Sequence, residues 1–299
     1  MTNASRRPQD LSGNPDIRII GPQASGKTAF LAALARWPND GLDSPIQSVD
    51  PFDDGTVKLI DMAKDILEHG LPMAGTLYPE DPNNSMLYSI LLQLKPSFTT
   101  NPIAAMTGRN LRFQVSCREY SGEFVNDLRK GGDRKLSDYL DECAEVLGLL
   151  VLIDGTAKQD EIYAQALTRL QAELKDRLLG TNRRLANYRV AIVFSKAEQA
   201  QVWSHRHNIH RFMSLKFPQT QATFAKWTRD WGNEANYFFC SAFGMRGAGV
   251  PNVKVESRGV DGTFAMIDKT KFWRPFGLVA PIYWLHTGKD DQRLRKFEV

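Results

Sequence analysis

Eight residues near the start of the chain, Gly21-Pro22-Gln23-Ala24-Ser25-Gly26-Lys27-Thr28, have the types and spacing to hold a polyphosphate. They match the pattern G-x-x-x-x-G-K-[ST]. Glycine at both ends lets the backbone wrap closely with its N–H groups turned inward. The Lys27 ammonium is placed to reach the β- and γ-phosphates and so to bear on their reaction, while the Thr28 hydroxyl is placed to ligate Mg²⁺. Gly21, Ala24, Ser25 and Gly26, with Lys27, Thr28 and Ala29 opening a helix, form the expected phosphate-binding set, assisted by the positive end of the helix dipole. A chance match in a glycine turn is the alternative. The apolar run Ile17–Ile20 before the loop and the Gly- and Pro-free run 29–35 after it supply the strand and helix that such a loop needs.

Two carboxylates compete to complete the metal site. Asp154 ends the apolar run Leu149–Ile153, where an ATPase places its Walker-B acid. Glu119 follows the strand-like Phe113–Cys117 and is itself followed by Tyr120-Ser121-Gly122-Glu123, which is the order of a GTPase. In that order the N–H of Gly122 senses the γ-phosphate. A further run, Ser195-Lys196-Ala197-Glu198, is close to the guanine-reading pattern [NT]-K-x-D. There a carboxylate, here Glu198, accepts both N–H donors of the guanine edge, and the lysine stem, here Lys196, lies along the base. Cys240-Ser241-Ala242 ends a last short strand, where a backbone N–H of Ser241 or Ala242 would meet the guanine oxygen.

These four elements, in this order and each at a strand end, resemble the small-GTPase-like fold of the translation-factor-related (TRAFAC) GTPases over roughly residues 16–245. Within that class the chain is similar to bacterial Ras-like GTPases of multi-gene conflict systems, the double-GTPase group. The run 120–123 and the segment Gly277–Leu285 carry this narrower likeness. The resemblance implies an α/β fold of the P-loop NTPase type, three layers (α/β/α) with a Ras-like mixed, mainly parallel sheet. It implies Mg²⁺ and GTP or GDP as bound species, hydrolysis of GTP to GDP and phosphate, and a protein effector or regulator as partner, with no nucleic acid. It also makes Thr76 the switch hydroxyl that closes on Mg²⁺ and the γ-phosphate, with an ordinary loop threonine as the alternative and Thr56, Thr99 and Thr100 as competitors, and Glu119 a support of the metal. Glu123 then stands where the family carries the glutamine that orients the attacking water. Arg118, Arg129 and Arg134 are candidate arginine fingers, although solvated surface arginines are the plainer reading of each. The chain departs from the family at Glu119 and Glu198, both Asp there, and at Ser195, which replaces Asn or Thr. Two other functions fit the residues: an ATPase using Asp154, and a nucleotide-bound scaffold that does not turn over.

The rest of the chain must position these residues. With 299 residues, 42% of them hydrophobic, it can bury one large core or two modest ones. Its net charge of +4 carries no stripe of Lys and Arg that would point to nucleic acid. Cys117, Cys143 and Cys240 are far apart and read as reduced residues of a cytoplasmic protein. Residues 1–14 read as a disordered lead-in without a signal-peptide core, and 15–299 as one domain with a helical extension from about 270. The apolar run Val146–Ile153 is too short to cross a bilayer.

Strands are expected at 17–20, at 86–94 and 110–117 as an antiparallel pair, and at 149–153, 190–194 and 237–240. Helices are expected at 57–69, 136–146 and 161–179 and in parts of 197–231. The stretches 38–55 and 119–135 read as loops, the second mobile, and 244–271 resists assignment. The aromatic segment 272–285 reads as a helix packed on the sheet, with a membrane or partner surface as the alternative. His205, His207 and His210 read as a polar helix face, not a metal site. Trp227, Trp231, Phe238 and Phe239 read as core.

Overall fold

An apolar run without alternation, such as Leu149–Ile153, belongs in a strand covered on both faces. The computed structural model describes residues 17–36, 46–52, 55–58, 60–61, 64, 87–95, 111–118, 124–131, 134–180, 184–247, 249–257, 263–292 and 294–295. Among these, seven strands form one sheet. They are β1 (Ile17–Ile20), β2 (Ile46–Pro51), β3 (Leu87–Leu94), β4 (Leu111–Arg118), β5 (Gly148–Asp154), β6 (Arg189–Ser195) and β7 (Ala235–Phe239). Their order is β2-β3-β4-β1-β5-β6-β7. The stretch from β4 through β7 is parallel, and β2, β3 and β4 pair antiparallel. This is the expected mixed, mainly parallel sheet.

Helices cover both faces. On one side lie α1 (Lys27–Ala35) and α8 (Val279–Thr287), which share a core with Ile17, Ile19, Val115 and Leu150. On the other lie α2 (Phe124–Lys130), α3 (Arg134–Glu145), α4 (Asp160–Gly180), α6 (Ile209–Lys216) and α7 (Pro218–Trp231), packed around Ile20, Val151, Ile153 and Phe194. A single turn, α5 (Ala200–Trp203), precedes α6. The result is a P-loop-type α/β/α fold.

The amphipathic helices follow their sequence. In α3, Leu136, Tyr139, Leu140, Cys143 and Ala144 recur at helical spacing and are buried. Helix α7 opens with Pro218 in its first turn and ends on the left-handed Gly232. Its N-terminal amides are capped in trans: Asp160 accepts from Gln219 N at 2.8 Å and Thr220 N at 2.9 Å, which ties α4 to α7. Helix α8 is apolar all round, and Val279 through Leu285 are buried, so it lies across the sheet as an internal element. Pro281 sits in its first turn, where no intrahelical N–H is needed. Of the aromatic segment, Phe272 is exposed, the helix begins only at Val279, and Trp273, Phe276 and 278–285 are core; no described helix is long and apolar enough to cross a membrane.

Several expectations are corrected. The stretch 38–55 contains β2, whose Gln, Ser, Asp and Pro carry no strand pattern and which exists by pairing with β3. The stretch 119–135 is not all loop: Phe124 and Leu128, one turn apart, are buried and hold α2, and Arg134 opens α3. The unassigned stretch forms two hairpins, β8 (Met245–Gly247) with β9 (Val250–Pro251), and β10 (Val253–Ser257) with β11 (Thr263–Ile267). Of His205, His207 and His210, His210 alone stands on a helix, against Tyr237, while His205 packs on Phe212. Trp227, Trp231, Phe238 and Phe239 are core, and the three cysteines are buried thiols outside any disulfide. The lead-in lies outside the described residues.

Candidate functional site

Parallel strands deliver their loops to one edge of the sheet. Register places Ile20 beside Val151, so the chain leaving β1 passes over the tip of β5. That passage is close: a Cβ on Gly21 would lie 2.3 Å from the Leu152 carbonyl oxygen, so only glycine fits. The loop then bends through Ala24 at φ 60 and Gly26 at φ 90. A left-handed alanine costs about 1–2 kcal/mol and persists only where the surroundings impose it.

Lys27 supplies part of that constraint. Its Nζ donates to Gly21 O at 2.9 Å and Pro22 O at 2.8 Å, so the loop closes around its own lysine. The first helical bond of α1 is Phe30 N to Gly26 O, so the amides of Lys27, Thr28 and Ala29 precede the intrahelical ladder. Helix α1 has neither a side-chain cap nor an acidic residue in its first turn. The positive end of its dipole therefore favours an anion. Thr28 brings a hydroxyl to the same turn, a donor type suited to a hard cation such as Mg²⁺. The set 21–29 expected to hold phosphate is thus brought together as one loop and helix start.

Ser195, at the tip of β6, fastens this loop from the side. Its Oγ lies 2.7 Å from Ser25 O and 3.2 Å from Ile153 O. The turn that follows is anchored to β7: Ala197 N donates to Cys240 O at 3.1 Å, and Cys240 N to Phe194 O at 2.9 Å. The Ser-Lys-Ala-Glu and Cys-Ser-Ala segments are therefore neighbours, both at the edge that carries the loop.

Within that pair of segments the side chains divide. Glu198 is 2% exposed, and the Ser241 hydroxyl donates to it. Burial pushes its carboxyl pKa up, opposed by the hydrogen bonds from Ser241, its own amide and Gln199 and by the Lys196 charge. Its Oε2 is buried with no hydrogen-bond partner among the described residues. The Ser241 amide already donates to Phe276 O at 3.0 Å, so of the two expected amides it is the occupied one. The Ala242 carbonyl accepts from Trp273 Nε1 at 2.8 Å, which fixes the loop that carries the Ala242 amide.

Asp154 has other partners than a metal. Its Oδ1 accepts from Thr156 N at 2.8 Å and Thr156 Oγ1 at 2.7 Å, and its Oδ2 from Lys196 Nζ at 2.5 Å. Both oxygens are occupied, which weighs against the Walker-B assignment. Asp154-Gly155-Thr156 thus forms a side-chain-stabilised turn, and neither this turn nor the contact with Lys196 is part of the sequence reading, which has Asp154 only as a candidate metal ligand.

Glu119, Gly122, Glu123 and Thr76 lie outside the described residues, as do Thr99 and Thr100. Thr56 is committed elsewhere: its buried hydroxyl donates to Ser89 O at 2.9 Å and accepts from Ser89 N at 2.7 Å, pinning β3. Arg129 stands on α2 and donates to Gln165 of α4 at 3.0 Å, and Arg134 is exposed at the start of α3.

A scan against protein-family models and a search of curated proteins gave no match. Among solved structures the chain is similar to the signal recognition particle receptor SRb-GTP/SRX complex from Chaetomium thermophilum, at 15% identity and TM-score 0.39, over 78% of this chain and 93% of that one. It is also similar to a bacterial selenocysteine-specific elongation factor EF-Sec, at 10% identity and TM-score 0.34, over 77% of this chain and 26% of that one. Both likenesses are remote, and what the site can do follows from its own geometry.

Proposed function

We propose that this chain is a guanine-nucleotide switch that binds GTP or GDP with Mg²⁺, hydrolyses GTP slowly, and acts through a protein partner. One observation carries the reading: the Lys27-closed loop is tied by Ser195 to the turn bearing Lys196 and Glu198. Phosphate and base sites thereby share one rigid edge. The amides of 24–29 and the Lys27 ammonium meet the phosphates. Lys196 lies along the base, and Glu198 reads its N–H donors together with the Ala242 amide. The orphaned Oε2 of Glu198 supports this, because a buried carboxylate oxygen without a donor is costly and a base edge supplies two. Since the carboxylate is covered, reading requires the side chain to turn out from beneath Ser241.

Thr28, with Glu119 and Thr76, is assigned to Mg²⁺, which when bound neutralises phosphate charge. Gly122 senses the γ-phosphate and Glu123 positions water. In this reading residues 15–299 form one domain, and the conflict-system likeness of the sequence suggests a partner encoded beside it. Calorimetric titration with GTP, GDP and ATP in Mg²⁺ tests the proposal. GTP and GDP are expected to bind more tightly than ATP, and Lys27→Ala to lose at least about tenfold in affinity. Tighter binding of ATP than GTP would remove the guanine assignment.

A further inference from the structure

Lys196 and Ala24 are the non-glycine residues with left-handed backbones among the described residues, at φ 57 and φ 60. Ala24 belongs to the phosphate loop. Lys196 follows Ser195 at the β6 tip, and Ser195 is in register with Asp154. Its backbone is held by Gln199 N donating to Lys196 O at 3.0 Å and Gly155 N to Ser195 O at 3.1 Å. Its head group is held by Asp154, 2.5 Å away. Asp154 in turn is fixed by both donors of Thr156. The lysine side chain remains 39% exposed while its ammonium is tied, against 18% for Asp154. A long side chain with a tethered head and an open flank is a rigid apolar ledge. This ledge adjoins the phosphate loop, because Ser195, its chain neighbour, is bonded to Ser25 O.

We propose that Asp154 is a positioning residue for the nucleobase: by clamping the Lys196 ammonium it fixes the lysine stem as the ledge against which a planar base lies. The inference rests on the nucleotide-binding reading above and adds to it the residue that preorganises the base side. Asp154 then has no part in metal binding. An untethered lysine would have to be ordered by the ligand, and affinity would fall by that cost.

The test separates base from phosphate. GDP and inorganic tripolyphosphate are titrated into the full chain in Mg²⁺, for the wild type and for Asp154→Asn, Thr156→Val and Lys196→Met. For Asp154→Asn, GDP affinity is expected to fall about tenfold, with tripolyphosphate affinity and the Mg²⁺ midpoint unchanged. Thr156→Val, which leaves the ion pair and removes one of its supports, is expected to give a smaller loss of the same kind. In a double-mutant cycle Asp154→Asn and Lys196→Met are expected to be non-additive. Unchanged GDP affinity in Asp154→Asn, or equal losses for both ligands, overturns the inference while leaving nucleotide binding intact. A shifted Mg²⁺ midpoint also overturns it and returns Asp154 to the metal. Wild-type binding of neither ligand overturns the functional reading itself. Should Asp154→Asn fail to fold, Thr156→Val decides: GDP-selective weakening supports the inference and its absence sinks it.

Discussion

Glu198 shows how burial sets chemistry at a single residue. Its carboxyl pKa lies above the ordinary 4.5, chiefly through desolvation. A carboxyl that holds its proton more tightly folded than unfolded makes stability fall as pH rises from that ordinary value through the folded one. Ionised Glu198 therefore weakens the fold at neutral pH. Glu198→Gln is expected to raise the melting temperature at pH 7 and to flatten this slope, read by thermal melts from pH 4 to 8. If Glu198 reads a base, the ligand requires the ionised form. GDP affinity in the wild type should then drop on acidification, and Glu198→Gln should lose about tenfold or more at pH 7. Stability gained together with affinity lost would mark a residue retained for recognition. Cys240, by contrast, has its thiol pKa raised by burial and by the Glu198 charge, and is chemically quiet.

At the scale of elements, β1 carries a conspicuous exception to its apolar pattern. Arg18 is 5% exposed in the sheet interior and pairs with Glu142 of α3 at 3.0 Å. Its Nε and Nη1 have no hydrogen-bond partner among the described residues. Such a pair costs much to desolvate, so leaving its more deeply buried member, Arg18, without its partner hurts more than removing that member. Glu142→Ala is expected to destabilise by about 3 kcal/mol, because it strands the arginine. Arg18→Met, which removes the deeply buried charge and leaves the 27% exposed carboxylate of Glu142, is expected to cost less than Glu142→Ala. Urea melts of both variants decide this, and the reverse order would show that the pair is net stabilising. Elements shorter than two turns obey the same logic of context. Helix α2 has only 7 residues, too few to persist alone. It is held by Phe124, whose ring meets Tyr139 edge-on at 5.6 Å, and by Leu128.

The whole molecule is closed by its C-terminal part. Arg189, at the start of β6, donates to Leu285 O at 2.9 Å and His286 O at 3.3 Å, capping α8. Arg295 reaches Tyr237 O at 2.7 Å and Asn236 Oδ1 at 2.9 Å, covering part of the β7 edge. Gly277 is the hinge of this closure: at φ 69, a Cβ there would sit 1.9 Å from Phe239 O. Gly277→Ala is expected to lose about 3 kcal/mol or more, by strain and by undocking of α8. Because Phe276 also bonds Ser241, the same variant should weaken GDP binding, and circular dichroism melts with and without GDP would separate the two effects. In the wild type, GDP at about 100 times its dissociation constant should add about 2.7 kcal/mol of stability.

The glycine–lysine loop, the strands β1, β3, β4, β5, β6 and β7, and the long helices α3 and α4 are legible in the order of residues alone. In each, the signal is local: glycine and lysine at fixed spacing, or apolar residues at the period of one element. The tertiary structure alone decided the rest. Strand β2 exists only as the partner of β3, and α2 only as a guest of α3 and α4. Asp154 reads in the chain as a lone acid after an apolar strand; only the register of β5 against β6 reveals that Lys196 lies on it. Ser195 and Ser25, 170 residues apart, likewise become one site because parallel strands end at a common edge. Spacing along a chain records what a segment can form, whereas contacts across a sheet depend on which segments pair, and no single segment encodes that.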